Sequence, residues 1–277
     1  MSPSGAFANS IMIEGLAGRR RPLRIGHMGA AGLAPGNSLA AIEAALRVGV
    51  DLIELDVWRT TDNELVLAHF PWVSPHPPTA DGRLGRGRAM LQASGTWPRW
   101  PRIPASDLAA LRRLPVPPPT LEEALDLMRG RALPYLDLRG SGPIMAQRVC
   151  GALRVGAPDG ALLGSGPGRS FVPEITLLPT LEATSGMAVP LFGRAISDHS
   201  LCALTNRAIR GARRNGASGL AVEYHLIRPS LLEICRQEGF FVFAWTVDAP
   251  VAMARLIALG VDGITTNRPD RLSALLP

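Results

Sequence analysis

The chain has 277 residues, 47% hydrophobic and 19% charged, with a net charge of +6 from 29 basic residues that are all arginine. This apolar content excludes a disordered polyelectrolyte and is enough for a large core, while no run approaches the ~20 uninterrupted apolar residues of a membrane-spanning helix. The positive excess favours anionic partners, but scattered arginines with only 5% aromatics do not make a nucleic-acid surface, where a basic patch is interleaved with stacking rings.

Residues 1–22 read as an N-terminal extension, without the basic start and apolar run of a secretory signal. Leu23–His27 is a short apolar strand after Pro22. Asn37–Val48 carries apolar residues at helical spacing, with Asn37 or Ser38 placed as the cap and Gly49 as the stop. Leu52–Trp58 and Glu64–His69 are the second and third strands. Residues 71–119 are dense in proline and glycine, which forbids long helices and central strands. They read as an irregular insertion with a short helix near Ser106–Arg113. Alternation resumes with a helix over Thr120–Arg129, its Thr120 and Glu123 spaced as a capping box. A strand over Leu133–Leu138, a helix over Ile144–Val155 and a strand over Ala161–Gly164 follow. In the obscure stretch 165–199, Ala188–Phe192 is the candidate strand. Helices over Leu201–Arg214, Pro229–Gln237 and Val251–Leu259 then alternate with strands over Gly219–Glu223, Phe240–Val247 and Gly263–Thr266, and a helix ends the chain. Such alternation, without a dinucleotide-binding GxGxxG after the first strand, predicts a TIM (β/α)8 barrel spanning 23–277 as one domain. The three cysteines, Cys150, Cys202 and Cys235, are odd in number and widely spaced, so neither a disulfide framework nor a zinc site is expected. A cytoplasmic setting follows as the default.

Reactive groups in such a barrel sit where strands finish. Glu54 and Asp56, two apart in LIELDVW, face one side of a strand. Two carboxylates held that close repel, and a divalent cation with oxygen ligands, Mg²⁺ or Ca²⁺, relieves them. A solvent-facing residue beside a salt-bridged one is the plainer alternative. His27 and His69 end the strands flanking that pair. A lone histidine is ordinarily a hydrogen-bonded core or surface residue, which is how His76, His199 and His225 are read. Two of them across a metal-bound phosphate are an acid and a base. Asp137 and Arg139, again two apart, are a third carboxylate and a phosphate grip, or a local ion pair. Trp245 ends FFVFAW and lines a pocket or packs in the core.

These residues resemble the glycerophosphodiester phosphodiesterase family. The resemblance rests on GHMGAAGLAPGNSLAAIEAALRVGVDLIELDVWRTTDNELVLAHF (Gly26–Phe70), the YLDLRG strand and FVFAWTVDAPVAMARLIALGVDGITTNRPDRL (Phe241–Leu272). It covers both ends of the barrel well and residues 140–215 poorly. It implies a metal-dependent barrel that hydrolyses glycerophosphodiesters to glycerol 3-phosphate and an alcohol. His27 and His69 would then be the acid–base pair, Glu54, Asp56 and Asp137 the metal ligands, and Arg139, Trp245 and Asn37 substrate-binding residues. The partner would be a small phosphodiester. Several positions depart from the family pattern. Met28 stands for an arginine, Gly36 for a glutamate, Phe70 and Asn267 for aspartates, Asp137 for a glutamate and Arg139 for a lysine. A lipid-directed barrel phosphodiesterase similar to the phospholipase D-type sphingomyelinases, and a non-catalytic phosphate-ligand binder, are the alternatives.

Overall fold

The computed structural model describes residues 21–73, 101–140, 142–157, 159–165, 176–181, 197–214 and 217–276. In chain order these form β1 (Leu23–Gly26), α1 (Leu39–Val48), β2 (Leu52–Arg59), β3 (Leu65–Leu67), α2 (Leu108–Arg112), α3 (Leu121–Met128), β4 (Leu133–Leu138), α4 (Pro143–Gly156), β5 (Leu162–Ser165) and β6 (Thr176–Leu181). There follow α5 (Asp198–Arg214), β7 (Gly219–Glu223), α6 (Pro229–Gln237), β8 (Phe241–Trp245), α7 (Pro250–Leu259), β9 (Gly263–Thr266) and α8 (Pro269–Ser273). The sheet order is β1-β9-β8-β7-β6-β5-β4-β2-β3, and β1 also pairs with β2. That extra pairing closes eight parallel strands into the predicted barrel.

The third strand differs from the other eight. β3 runs antiparallel to β2, with Val57 opposite Leu67 and Arg59 opposite Leu65. It is the return arm of a turn and not a barrel strand, because the short connection through Asn63 (φ +68°) leaves no room for a parallel crossover. Of the 71–119 insertion, 74–100 lie outside the described residues. The rest contains α2, capped by Asp107, and packs Ile103 and Leu111 onto Val66 of β3. Strand β6 falls in the stretch 165–199 that reads as obscure, because its central Pro179 removes a ladder donor and disguises it. The candidate strand Ala188–Phe192 lies outside the described residues, as do 1–20 of the N-terminal extension.

Inside the barrel the period of two fixes what sits where. Leu23 and Ile25 of β1, Leu52 of β2, Tyr135 of β4, Leu162 of β5 and Phe243 of β8 form one buried interior cluster. Their sequence neighbours Ile53, Leu55, Leu136, Leu163, Val242 and Ala244 join the larger core beneath the helices. Continuing the inward columns of β1, β2, β4 and β8 toward the C-terminal ends replaces apolar residues with His27, Glu54, Asp56, Asp137 and Trp245. The lower interior is therefore a packed plug, and the chemistry sits on top of it.

Candidate active site at the C-terminal end of the barrel

A cavity of about 310 Å³ opens at that end, lined by His27, Glu54, His69, Asp137, Arg139 and Trp245 among others, with Tyr135 below. A larger hollow of about 880 Å³ lies outside the barrel beside α3 and α4, and contains none of these groups.

His27 is aimed by a tight turn. Its N–H continues the ladder to the Thr266 carbonyl at 2.9 Å. The chain then turns through Met28 (φ +48°) and Gly29 (φ +85°). A Cβ on Gly29 would lie 2.6 Å from the Ala41 carbonyl carbon, so only glycine lets the turn rest on α1. This turn sends the Met28 N–H to Glu54 Oε2 at 2.9 Å. His27 Nδ1 lies 2.7 Å from Asn267 Oδ1, and its Nε2 lies 3.9 Å from Glu54 Oε2. Burial pushes the His27 imidazole below its ordinary pKa, against the opposing Asn267 hydrogen bond.

His69 arrives differently. The antiparallel return of β3 carries the chain back along β2, where the Ala68 N–H bonds the Asp56 carbonyl at 3.1 Å. His69 Nδ1 then donates to Asp56 Oδ2 at 3.1 Å. Asp56, fully buried, is a hub. Its Oδ2 also accepts from Asn37 Nδ2 at 2.7 Å, and its Oδ1 accepts from Arg139 Nε at 2.8 Å and from Arg139 Nη2. Burial alone would raise this carboxyl, but the His69 hydrogen bond and the Arg139 charge outweigh it and hold the pKa at about 2. Because Asp56 can only accept, His69 Nδ1 is a donor, so its 3.5 Å approach to Arg139 Nη2 is proximity and not a bond.

Glu54, Asp56 and Asp137 each bring an oxygen within 4.8 Å of the others. Register explains the meeting, since Asp56 pairs directly with Asp137 across β2 and β4. Arg139 Nη2 reaches Asp137 Oδ2 at 3.0 Å as well. One guanidinium among three carboxylates leaves an acidic excess. Burial, then the charges of Asp56 and Asp137, push Glu54 well above the usual carboxylate range. Such an all-oxygen, over-acidic donor set suits a divalent cation.

The sequence-predicted groups thus converge, with one difference of placement. Asn37 does not line the cavity. At φ +56° its amide turns onto Asp56, giving Nδ2 to the carboxylate and taking the Asp56 N–H at 3.1 Å. Each amide function makes one bond to Asp56 behind the cavity wall, so Asn37 supports that carboxylate. Trp245 lines the cavity, its buried indole N–H without a hydrogen-bond partner among the described residues. His199 is exposed on α5, His225 is bound to Glu223 at 2.7 Å, and His76 lies outside the described residues. Sequence reasoning missed Tyr135, whose signal was its place in the inward column of LPYLDL. It also missed Asp248, which holds Asn267.

The chain matches the family model described as "Glycerophosphoryl diester phosphodiesterase family" over residues 27–136 and 169–271. It is 24% identical over 269 residues to a glycerophosphodiester phosphodiesterase of Bacillus subtilis (strain 168), covering 90% of this chain and 85% of that protein. It is 28% identical over 261 residues to one of Caldanaerobacter subterraneus subsp. tengcongensis, covering 92% and 98%. An Oleispira antarctica phosphodiesterase, solved in complex with the product sn-glycerol-3-phosphate, shares the fold with a TM-score of 0.67 at 18% identity, covering 96% and 98%.

Proposed function

The chain belongs to the glycerophosphoryl diester phosphodiesterase family, and from that premise we propose that it hydrolyses glycerophosphodiesters to glycerol 3-phosphate and an alcohol. The observation that carries this reading is the convergence of two imidazoles, two carboxylates and one guanidinium on a single cavity, with the Asp56 carboxylate clustered with the other two behind its wall. Glu54, Asp56 and Asp137 are assigned to hold a divalent cation, Mg²⁺ or Ca²⁺, which when bound supplies charge that stabilises the phosphodiester oxygens. Arg139 offers further N–H groups for a phosphoryl oxygen. His27, kept neutral by burial, takes a proton at Nε2 from the attacking oxygen, that of water directly or of a neighbouring glycerol hydroxyl whose cyclic ester water then opens. His69, its Nδ1–H held by Asp56, presents Nε2 to the leaving alkoxide and delivers a proton there. Trp245 walls the substrate. Proton transfer of this kind contributes ~10²–10⁴-fold.

Residues 23–277 act as one catalytic unit, with 71–119 as an insertion after the third strand. The products place the reaction in lipid-headgroup and glycerol metabolism. A cytoplasmic setting agrees with three scattered cysteines that form no disulfide. No helix among the described residues is long and apolar enough to cross a membrane. The test is glycerol 3-phosphate release from a panel of glycerophosphodiesters, with lysophospholipid and sphingomyelin alongside, in EDTA and in added Mg²⁺ or Ca²⁺. Release from the diesters that EDTA abolishes is expected. Binding without turnover, or turnover of the lipids alone, overturns the reading.

A further inference from the structure

The hydrogen-bond chain behind His27 has a direction. Asp248 Oδ1 accepts from the Thr266 hydroxyl at 3.0 Å and from the Asn267 N–H at 2.9 Å, and its Oδ2 accepts from Asn267 Nδ2 at 2.7 Å. A carboxylate has no hydrogen to give, so Asn267 must turn its NH₂ toward Asp248 and its oxygen toward His27. That oxygen, 2.7 Å from His27 Nδ1, accepts only if Nδ1 carries the hydrogen. His27 Nε2, the nitrogen on the Glu54 side of the cavity, is thereby left with its lone pair. An amide unheld by Asp248 would be free to flip, and the flip would move the ring proton to Nε2.

We propose that Asp248 is a positioning residue for the reaction. Acting through Asn267, it fixes the His27 tautomer that accepts a proton at Nε2. The proposal rests on the reading that His27 acts on the substrate. An aspartate at position 267 would accept from His27 unaided, whereas the asparagine in this chain is ambiguous until a second group orients it. Asp248 is that group, supplied by the loop after β8, three residues beyond Trp245.

The consequence can be worked through for Asp248→Asn. The new amide keeps its oxygen where two donors meet, Thr266 and the Asn267 N–H. Its NH₂ then faces Asn267, whose amide inverts and presents NH₂ to His27 Nδ1. His27 must now accept there and carry its hydrogen on Nε2. In the double variant Asp248→Asn/Asn267→Asp the NH₂ of residue 248 meets a carboxylate, whose other oxygen accepts from His27 Nδ1, and the original tautomer returns.

The experiment is ¹⁵N NMR of the histidine rings in the full chain, at a pH where the ring is neutral, together with kcat and KM on a hydrolysed diester. Nδ1–H is expected in the wild type, Nε2–H in Asp248→Asn and Nδ1–H again in the double variant. Loss of general-base help predicts a kcat fall of ~10²-fold in the single variant with little change in KM, and recovery of at least ~10-fold in the double variant. A merely structural Asp248 would not exchange the tautomer. A wild-type His27 already in the Nε2–H form overturns the proposal without any variant, even if Asp248→Asn fails to fold. An unchanged tautomer in Asp248→Asn, or a double variant no better than the single one, overturns it as well. A chain that shows the tautomer switch but hydrolyses no diester removes the proposed function and leaves the hold of Asp248 on the ring standing.

Discussion

The two ends of the barrel use the same chemical groups in opposite proportions. At the N-terminal end Asp51 faces two arginines. Arg21 grips it with two N–H groups at 2.8 and 3.0 Å, and the Arg24 backbone N–H adds a third bond at 2.8 Å. At the C-terminal end two of three clustered carboxylates pair with the one guanidinium of Arg139. Burial would raise Asp51, but its arginine partners prevail and hold it at about 2. Glu54, with too few partners, is driven the other way. A carboxylate fully met by cations is a fastening. An unbalanced cluster beneath an open cavity stores a demand for positive charge, which substrate-level chemistry can use.

The largest effect should come from the imidazoles at the unbalanced end. His27→Ala and His69→Ala are each expected to lower kcat by ~10²–10⁴-fold with circular dichroism unchanged. Near-normal turnover in either would show that the ring belongs to the scaffold, as the Asp51 cluster does. Next comes the cation itself. At 100-fold excess over Kd, Mg²⁺ or Ca²⁺ should stabilise the fold by ~2.7 kcal/mol, a Tm rise of roughly 5–10 °C for a domain of this size. Glu54→Gln and Asp137→Asn should erase the rise. An equal rise in those variants would place the cation elsewhere.

Much of this end of the molecule was legible in sequence, and the reason is periodicity. In LIELDVW the carboxylates fall on the column that begins with Leu52, so they had to point inward. Phe241, Phe243 and Trp245 follow the same rule. What could not be read depends on contacts between distant segments. Asn37 looked like a helix cap or a substrate contact, but its left-handed backbone turns the amide onto Asp56, a strand away, and the capping falls to Ser38. Arg139 was legible as an inward cation with Asp137 as a local partner, whereas its pairing with Asp56 followed only from strand register. Asp248 stands in the quoted FVFAWTVDAP block with nothing to mark its role. It lies beyond its strand, and only the meeting of the β8 and β9 ends joins it to His27.

The balanced end predicts a smaller, purely structural effect. The folded pKa of Asp51 lies below the ~3.9 of an unfolded aspartate, so its contribution is fully present above that value and is lost as pH falls through about 2. The depression corresponds to about 2 kcal/mol. Asp51→Asn should lower neutral-pH stability by about that amount in urea unfolding and flatten the acid limb between roughly pH 4 and 2. Its kcat should match the wild type. A substantial loss of turnover would mean that the two ends are mechanically coupled through β2.

Helix α1 supplies the smallest and most delicate comparison, because its cap adjoins the site without belonging to it. Ser38 Oγ accepts the Ala41 N–H at 3.1 Å and donates to the Pro35 carbonyl. Ser38→Ala removes both bonds and should cost about 1 kcal/mol, lowering Tm by roughly 2–4 °C. The preceding residue, Asn37, is held independently by two hydrogen bonds to Asp56. The amide should therefore keep its place when the cap is lost, and kcat should stay within about twofold, below the ~10²-fold that loss of acid–base help would produce. If turnover falls tenfold instead, the turn Pro35–Ser38 is setting the position of Asp56 and, through it, of His69. The cap would then have to be counted with the unbalanced end of the barrel.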